Sequence, residues 1–96
     1  MVKLVIKSTH NYNYVLVDNN DREYNVNIEF YGLQELPVVG DYLYVDETML
    51  NEINNNMVSF GPIDGKYGKD INSIDDSEVI CLVHGNNSVY LKRFYG

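Results

Sequence analysis

The chain has 96 residues, with 14 carboxylates against 7 lysines plus arginines, one cysteine, no tryptophan and a net charge of −7. That length fits one domain, residues 1–96, and the 45% apolar content is too high for an intrinsically disordered chain. A lone cysteine excludes an internal disulfide and any paired-cysteine metal site, and the opening MVKLVIKSTH carries neither a signal-peptide core nor a membrane span, so a soluble cytoplasmic protein is expected.

Period-2 alternation dominates the chain. VKLVIK sets Val2, Leu4 and Ile6 on one side of a first strand, and Tyr- and Val-rich residues 12–18 form a second. The turn cluster Asp18-Asn19-Asn20-Asp21 joins it to residues 23–31, where Tyr24, Val26, Ile28 and Phe30 alternate with Asn25, Asn27, Glu29 and Tyr31. DYLYV, residues 41–45, reads as another strand after Pro37 and Gly40. One short helix follows. Asp46 suits its N-cap, Glu47 sits at the positive end of its dipole, Met49, Leu50 and Ile53 fall at helical spacing, and Asn54-Asn55-Asn56 ends it. A short strand at Val58 and Phe60 precedes a long polar connection, residues 61–78. EVICLVH (78–84) and SVYLKRFY (88–95) then flank Gly85-Asn86-Asn87 as a tight hairpin.

Short strands with a single helix predict a mainly β fold, a small closed or partly open antiparallel β-barrel, because closure removes the exposed edges of short sheets. The expected count is five or six strands in the order three strands, helix, two strands. This is OB-fold-like, with an SH3-like barrel as the alternative. Val38-Val39-Gly40-Asp41 resembles the V-G-D turn that opens a strand in small barrels. More widely, IEFYGL, VGDYLYVDETML, VSFGPIDGKYGKDI and VYLKRFYG resemble phrases shared by a group of short uncharacterised bacterial proteins of about this length. That resemblance spans most of residues 23–96 and implies a self-contained barrel, with no activity to carry over.

The charge is uneven. Residues 23–65 hold Glu23, Glu29, Glu35, Asp41, Asp46, Glu47, Glu52 and Asp64 with no Lys or Arg, so the net charge belongs to the middle of the chain. Such a surface is either plain solubilising charge or a face that steers a basic partner. The basic concentration is Lys3, Lys7, Lys92 and Arg93, which become neighbours if the first and last strands approach.

Catalytic and metal motifs are absent from the reading. Cys81 lies on the same strand side as Val79 and Val83, which predicts a buried small hydrophobe, and His84 points to the other face. His10 and His84 read as turn-flanking surface residues. Asp70 to Asp76 opens with a D-x-N spacing but lacks the glycine and terminal glutamate of a calcium loop. GPIDGKYGKD lacks the Gly-Lys-Ser/Thr of a phosphate loop. No enzyme, metal or cofactor is expected.

The nine tyrosines are the most informative compositional feature. They suit either barrel packing or a surface for stacking and docking. Tyr12 and Tyr14 share one strand face, as do Tyr42 and Tyr44, while Tyr31, Tyr67, Tyr90 and Tyr95 lie elsewhere. The favoured expectation is a non-catalytic binding module whose acidic, Tyr-rich face contacts a basic protein partner through Tyr12, Tyr14, Glu29, Tyr31, Asp41, Tyr42, Tyr44 and Glu47. The alternative is OB-type binding of single-stranded nucleic acid or an oligosaccharide through exposed tyrosines. For nucleic acid, the four acids and no base of residues 23–45 stand against it. The oligomeric state is not fixed by the sequence.

Overall fold

The computed structural model describes residues 1–67, 79–85 and 87–93, with 63–67 described by their backbone. Seven strands and one helix follow in the order β1 (Val2–His10), β2 (Asn13–Val17), β3 (Glu23–Phe30), β4 (Tyr42–Val45), α1 (Glu47–Asn55), β5 (Val58–Tyr67), β6 (Val79–His84) and β7 (Asn87–Lys92). The strands close into a ring, β1-β2-β3-β5-β6-β7-β4, and β4 returns to β1. All ladders are antiparallel except β3–β5, where Ile28 to Phe30 run parallel to Val58 to Phe60.

The ring is built by alternation. On β3 the predicted set Tyr24, Val26, Ile28 and Phe30 is buried, and the intervening Asn25 and Asn27 are exposed. Leu4 and Ile6 of β1, Tyr14 and Leu16 of β2, Leu43 and Val45 of β4, Phe60 of β5, Leu82 of β6, and Val89 and Leu91 of β7 complete the inward face. α1 leaves the ring at Val45 and turns Met49 and Ile53 into this core, packing on β3 and β7. Its start is as predicted: the Met49 N–H donates to Asp46 Oδ1 at 2.7 Å. Among the described residues no helix is long and apolar enough to cross a membrane.

The turns follow their side chains. Asp18 Oδ1 accepts from the backbone N–H groups of Asn20 and Arg22 at 2.8 and 3.0 Å, fixing the β2–β3 hairpin. Gly85 (φ +61°) turns the predicted β6–β7 hairpin, which pairs His84 with Asn87. In the V-G-D segment Gly40 sits at φ +98°, a conformation that a Cβ would strain.

Two expectations change. The ring has seven strands, four of them before the helix, in place of five or six with three before it. β4, expected over residues 41–45, is only four residues long and is held because it pairs on both sides, with β1 and with β7. β5 continues past Phe60 to Tyr67, because Gly61 and Pro62 pair with Val83 and Leu82 of β6 although their sequence has no alternation. The register shifts between Pro62 and Tyr67, an irregularity of the kind at which proline is tolerated in a strand. Residues 68–78, including the Asp70–Asp76 stretch, lie outside the described residues, as do Asn86 and Tyr95.

Candidate functional site

At the end of the ring marked by the β1–β2 turn, a cleft of about 510 Å³ is lined by Asn11, Tyr12, Tyr14, Glu29, Phe30 and Leu36. Asn11 at φ +54° turns the chain between the strands, so Tyr12 precedes β2 and stands out from the surface, 53% exposed. Tyr14, two residues on, is inside at 2% and meets Phe30 edge to face, with centroids 5.3 Å apart. Leu36, 56% exposed, forms another wall. Glu29 is half-buried, and its Oε1 accepts from the Ser59 hydroxyl across the parallel β3–β5 pair at 3.0 Å. Burial pushes the Tyr14 hydroxyl above the ordinary phenol range, and the nearby Arg93 charge pulls it partly back.

The wall that carries Leu36 is held from the far end of the chain. Arg93 Nη1 donates to Asp41 Oδ2 and to the Leu36 carbonyl, each at 3.1 Å, and Nη2 donates to the Glu35 carbonyl. Asp41 Oδ2 also accepts from the Val38 N–H at 3.0 Å, while backbone bonds link Ile6 to Asp41 and Gly40 to Ile6 at 2.9 Å. The ion pair is sequestered, with the two side chains 1% and 10% exposed. Asp41 is therefore not a surface steering group and Arg93 is not part of a basic patch. Tyr14 is corrected in the same way: alternation with Leu16 carries it inward, so it is a floor of the cleft and not an exposed stacking platform.

Tyr42 and Tyr44 lie elsewhere, half-buried on the outer face of β4. The register sets Lys3 opposite Tyr44 and Val5 opposite Tyr42 on one side, and Tyr90 and Lys92 opposite the same tyrosines on the other. The Lys3 ammonium lies 4.2 Å from the Tyr42 ring centroid. Burial, with Tyr42 beside it, raises the Tyr44 hydroxyl above its ordinary range. β1, β4, β6 and β7 contain no Asp or Glu. Lys7 is drawn away from this face by an exposed ion pair with Glu23.

The remaining expected residues separate further. Tyr31 is more than half exposed, yet its ring lies over Gly61, where a Cβ would come within 2.1 Å of Cε2. Glu47 lines a polar cleft of about 520 Å³ at the opposite end, with Asp18, Asn19, Asn20, Arg22, Tyr24, Asn51 and Asn54 among its other residues. There Tyr24 donates its hydroxyl to Asp18 Oδ2 at 3.0 Å. Partial burial works to raise the Asp18 carboxyl, but the Asn20, Arg22 and Tyr24 donors outweigh it and hold the group below the usual carboxylate range.

The described carboxylates of residues 23–65 thus do not share one face: Glu29 lines one cleft, Glu47 the opposite one, and Asp41 is buried in the clamp. Cys81 is half-buried on the outer face of β6, short of the full burial expected, and lies opposite Tyr90. Its thiol is raised by burial, the opposite of nucleophilic activation, with a hydrogen bond to Tyr90 partly offsetting it. His84, by contrast, is less exposed than expected, its ring edge-on to Phe60 with Nδ1 3.1 Å from the Ser59 carbonyl oxygen.

Of the expected site, the fold brings together Tyr12, Tyr14 and Glu29 in one cleft and Tyr42, Tyr44, Lys3 and Lys92 on one outer face. Asn11, Phe30 and Leu36 of the cleft were missed. Phe30 was legible as an inward residue of β3, while Leu36 sits in a loop with no periodic signal. Compared with known proteins, the chain matches no family model, no curated protein and no solved structure.

Proposed function

We propose that this protein is a non-catalytic binding module that receives a basic protein partner at the cleft between Tyr12, Leu36 and Glu29. The observation that carries the reading is the pairing of two large, more than half-exposed apolar walls with a floor of packed aromatic rings, where the one charged group among the described lining residues is a carboxylate. Aromatic anchors supply burial at such a site, and the chain's net charge of −7 speeds the approach of a cationic partner. The test is a photo-crosslinking residue at position 36 in the native cell, followed by titration of the purified recovered protein. Tyr12→Ala is expected to weaken that complex about ten-fold. A complex indifferent to both Tyr12→Ala and Glu29→Gln, or a recovered partner that is acidic, would sink the proposal.

A second reading has its own support. The outer face with Tyr42, Tyr44, Tyr90, Lys3 and Lys92 lies on strands that contain no Asp or Glu, so among the described strand residues of that face none is an acid that argues against nucleic acid. Single-stranded RNA binding that weakens with salt and is lost in Lys3→Glu plus Lys92→Glu would favour that face over the cleft.

A further inference from the structure

The chemistry of the cleft narrows what can enter it. Its rings come from Tyr12, Tyr14 and Phe30, its aliphatic wall from Leu36, and Glu29 and Asn11 supply its polar groups. No Lys, Arg or His is among these residues. Aromatic faces are negative, and a carboxylate at the rim of an aromatic lining adds a full charge of the same sign. Among the described residues, the cation that acts on the floor is the Arg93 guanidinium, which lowers the Tyr14 hydroxyl but faces the Asp41 carboxylate. The cleft thus combines a place for an alkyl chain with a place for a positive head.

Glu29 also discriminates between cationic heads. Its Oε1 already accepts from the Ser59 hydroxyl at 3.0 Å, which leaves Oε2 as the carboxylate oxygen without that bond. A guanidinium is recognised best by both oxygens of a carboxylate at once, through two parallel N–H bonds. An ammonium is a point charge and needs one acceptor. We infer that the occupant of the cleft is a lysine side chain of the partner, its methylenes against Tyr12 and Leu36 and its ammonium at Glu29 over the aromatic floor. This rests on the proposed binding function and names the group that the cleft selects.

The probe is an acetylated, amidated five-residue peptide with lysine at its centre, compared with the same peptide carrying norleucine or arginine there. Binding to the full chain is followed by NMR at the Leu36 methyls and the Tyr12 ring protons. The lysine peptide is expected to bind about five-fold tighter than the norleucine peptide and more tightly than the arginine peptide. Glu29→Gln, which keeps an oxygen for Ser59, should remove the advantage of lysine while norleucine binding persists. An unchanged melting curve would show that the variant is folded. Equal binding of lysine and norleucine, or a lysine preference that survives Glu29→Gln, overturns the inference and leaves an apolar docking cleft standing. No shift at Leu36 or Tyr12 with any of the peptides, or binding unaffected by Tyr12→Ala, overturns the docking function as well.

Discussion

Arg93→Met isolates the ion pair at the base of the cleft wall. Methionine keeps an unbranched apolar stem and removes the guanidinium that faces Asp41, a carboxylate 1% exposed. Removing one side of a buried pair costs about 3–5 kcal/mol, since the remaining charge stays in the interior. The lower end applies here, because the guanidinium keeps 10% exposure and the Glu35 and Leu36 carbonyls that it releases belong to exposed residues and rehydrate. About 3 kcal/mol in a domain of this size lowers Tm by about 12–24 °C and takes a large share of a total near 5–15 kcal/mol. Urea unfolding followed by circular dichroism measures it. Lys7→Met is the control: that pair is 59% and 53% exposed, so after solvent screening its loss is expected to cost under about 0.5 kcal/mol. In the double variant Asp41→Asn/Arg93→Met the losses should fall short of additive by about 2 kcal/mol. Equal losses for Arg93→Met and Lys7→Met would refute the claim that the clamp is sequestered.

Other expectations follow from single features. Asp18 has its carboxyl lowered in the folded state, so its contribution is complete above the unfolded value near pH 4 and is lost as pH falls below it; Asp18→Asn should therefore flatten the acid limb of a stability-against-pH curve. Gly61→Ala should destabilise the chain by displacing the Tyr31 ring, and by measurably less in a Tyr31→Ala background when both are unfolded in urea. Cys81, with its thiol raised by burial, should react with a disulfide reagent at pH 7 at least about ten-fold more slowly folded than in urea. Met49→Ala, which empties a fully buried position, should cost about 2–5 kcal/mol in the same unfolding assay.

What could be read in advance was local. The alternation of β3, the Asp46 cap and the Gly85 turn each depend on residues within a few positions of one another, and all three are found. What escaped reading depends on contacts across the chain. Position parity sets Tyr14 beside Leu16 but does not say which face is inside; that is decided by pairing with Val26 of β3. Asp41 and Arg93 are 52 residues apart, and nothing near either one marks the pair. The same distance explains why a surface acid and a surface base were expected where a clamp exists. The extension of β5 is imposed by β6, and the scattering of the tyrosines over a cleft, an outer face and the core follows from how the ring curves.

The seating of β7 between β6 and β4 has a consequence for how the chain comes into being. Synthesis delivers β4 and β6 first, each with one edge waiting for a strand that is the last described segment to emerge. A nascent chain tethered at its growing end can zip β1 to β3 and lay β4 along β1, but it cannot join the last stave until residues 87–93 have cleared the ribosome. The interval before β7 is seated, with two sticky borders open, is when a chaperone would be of most use to this protein.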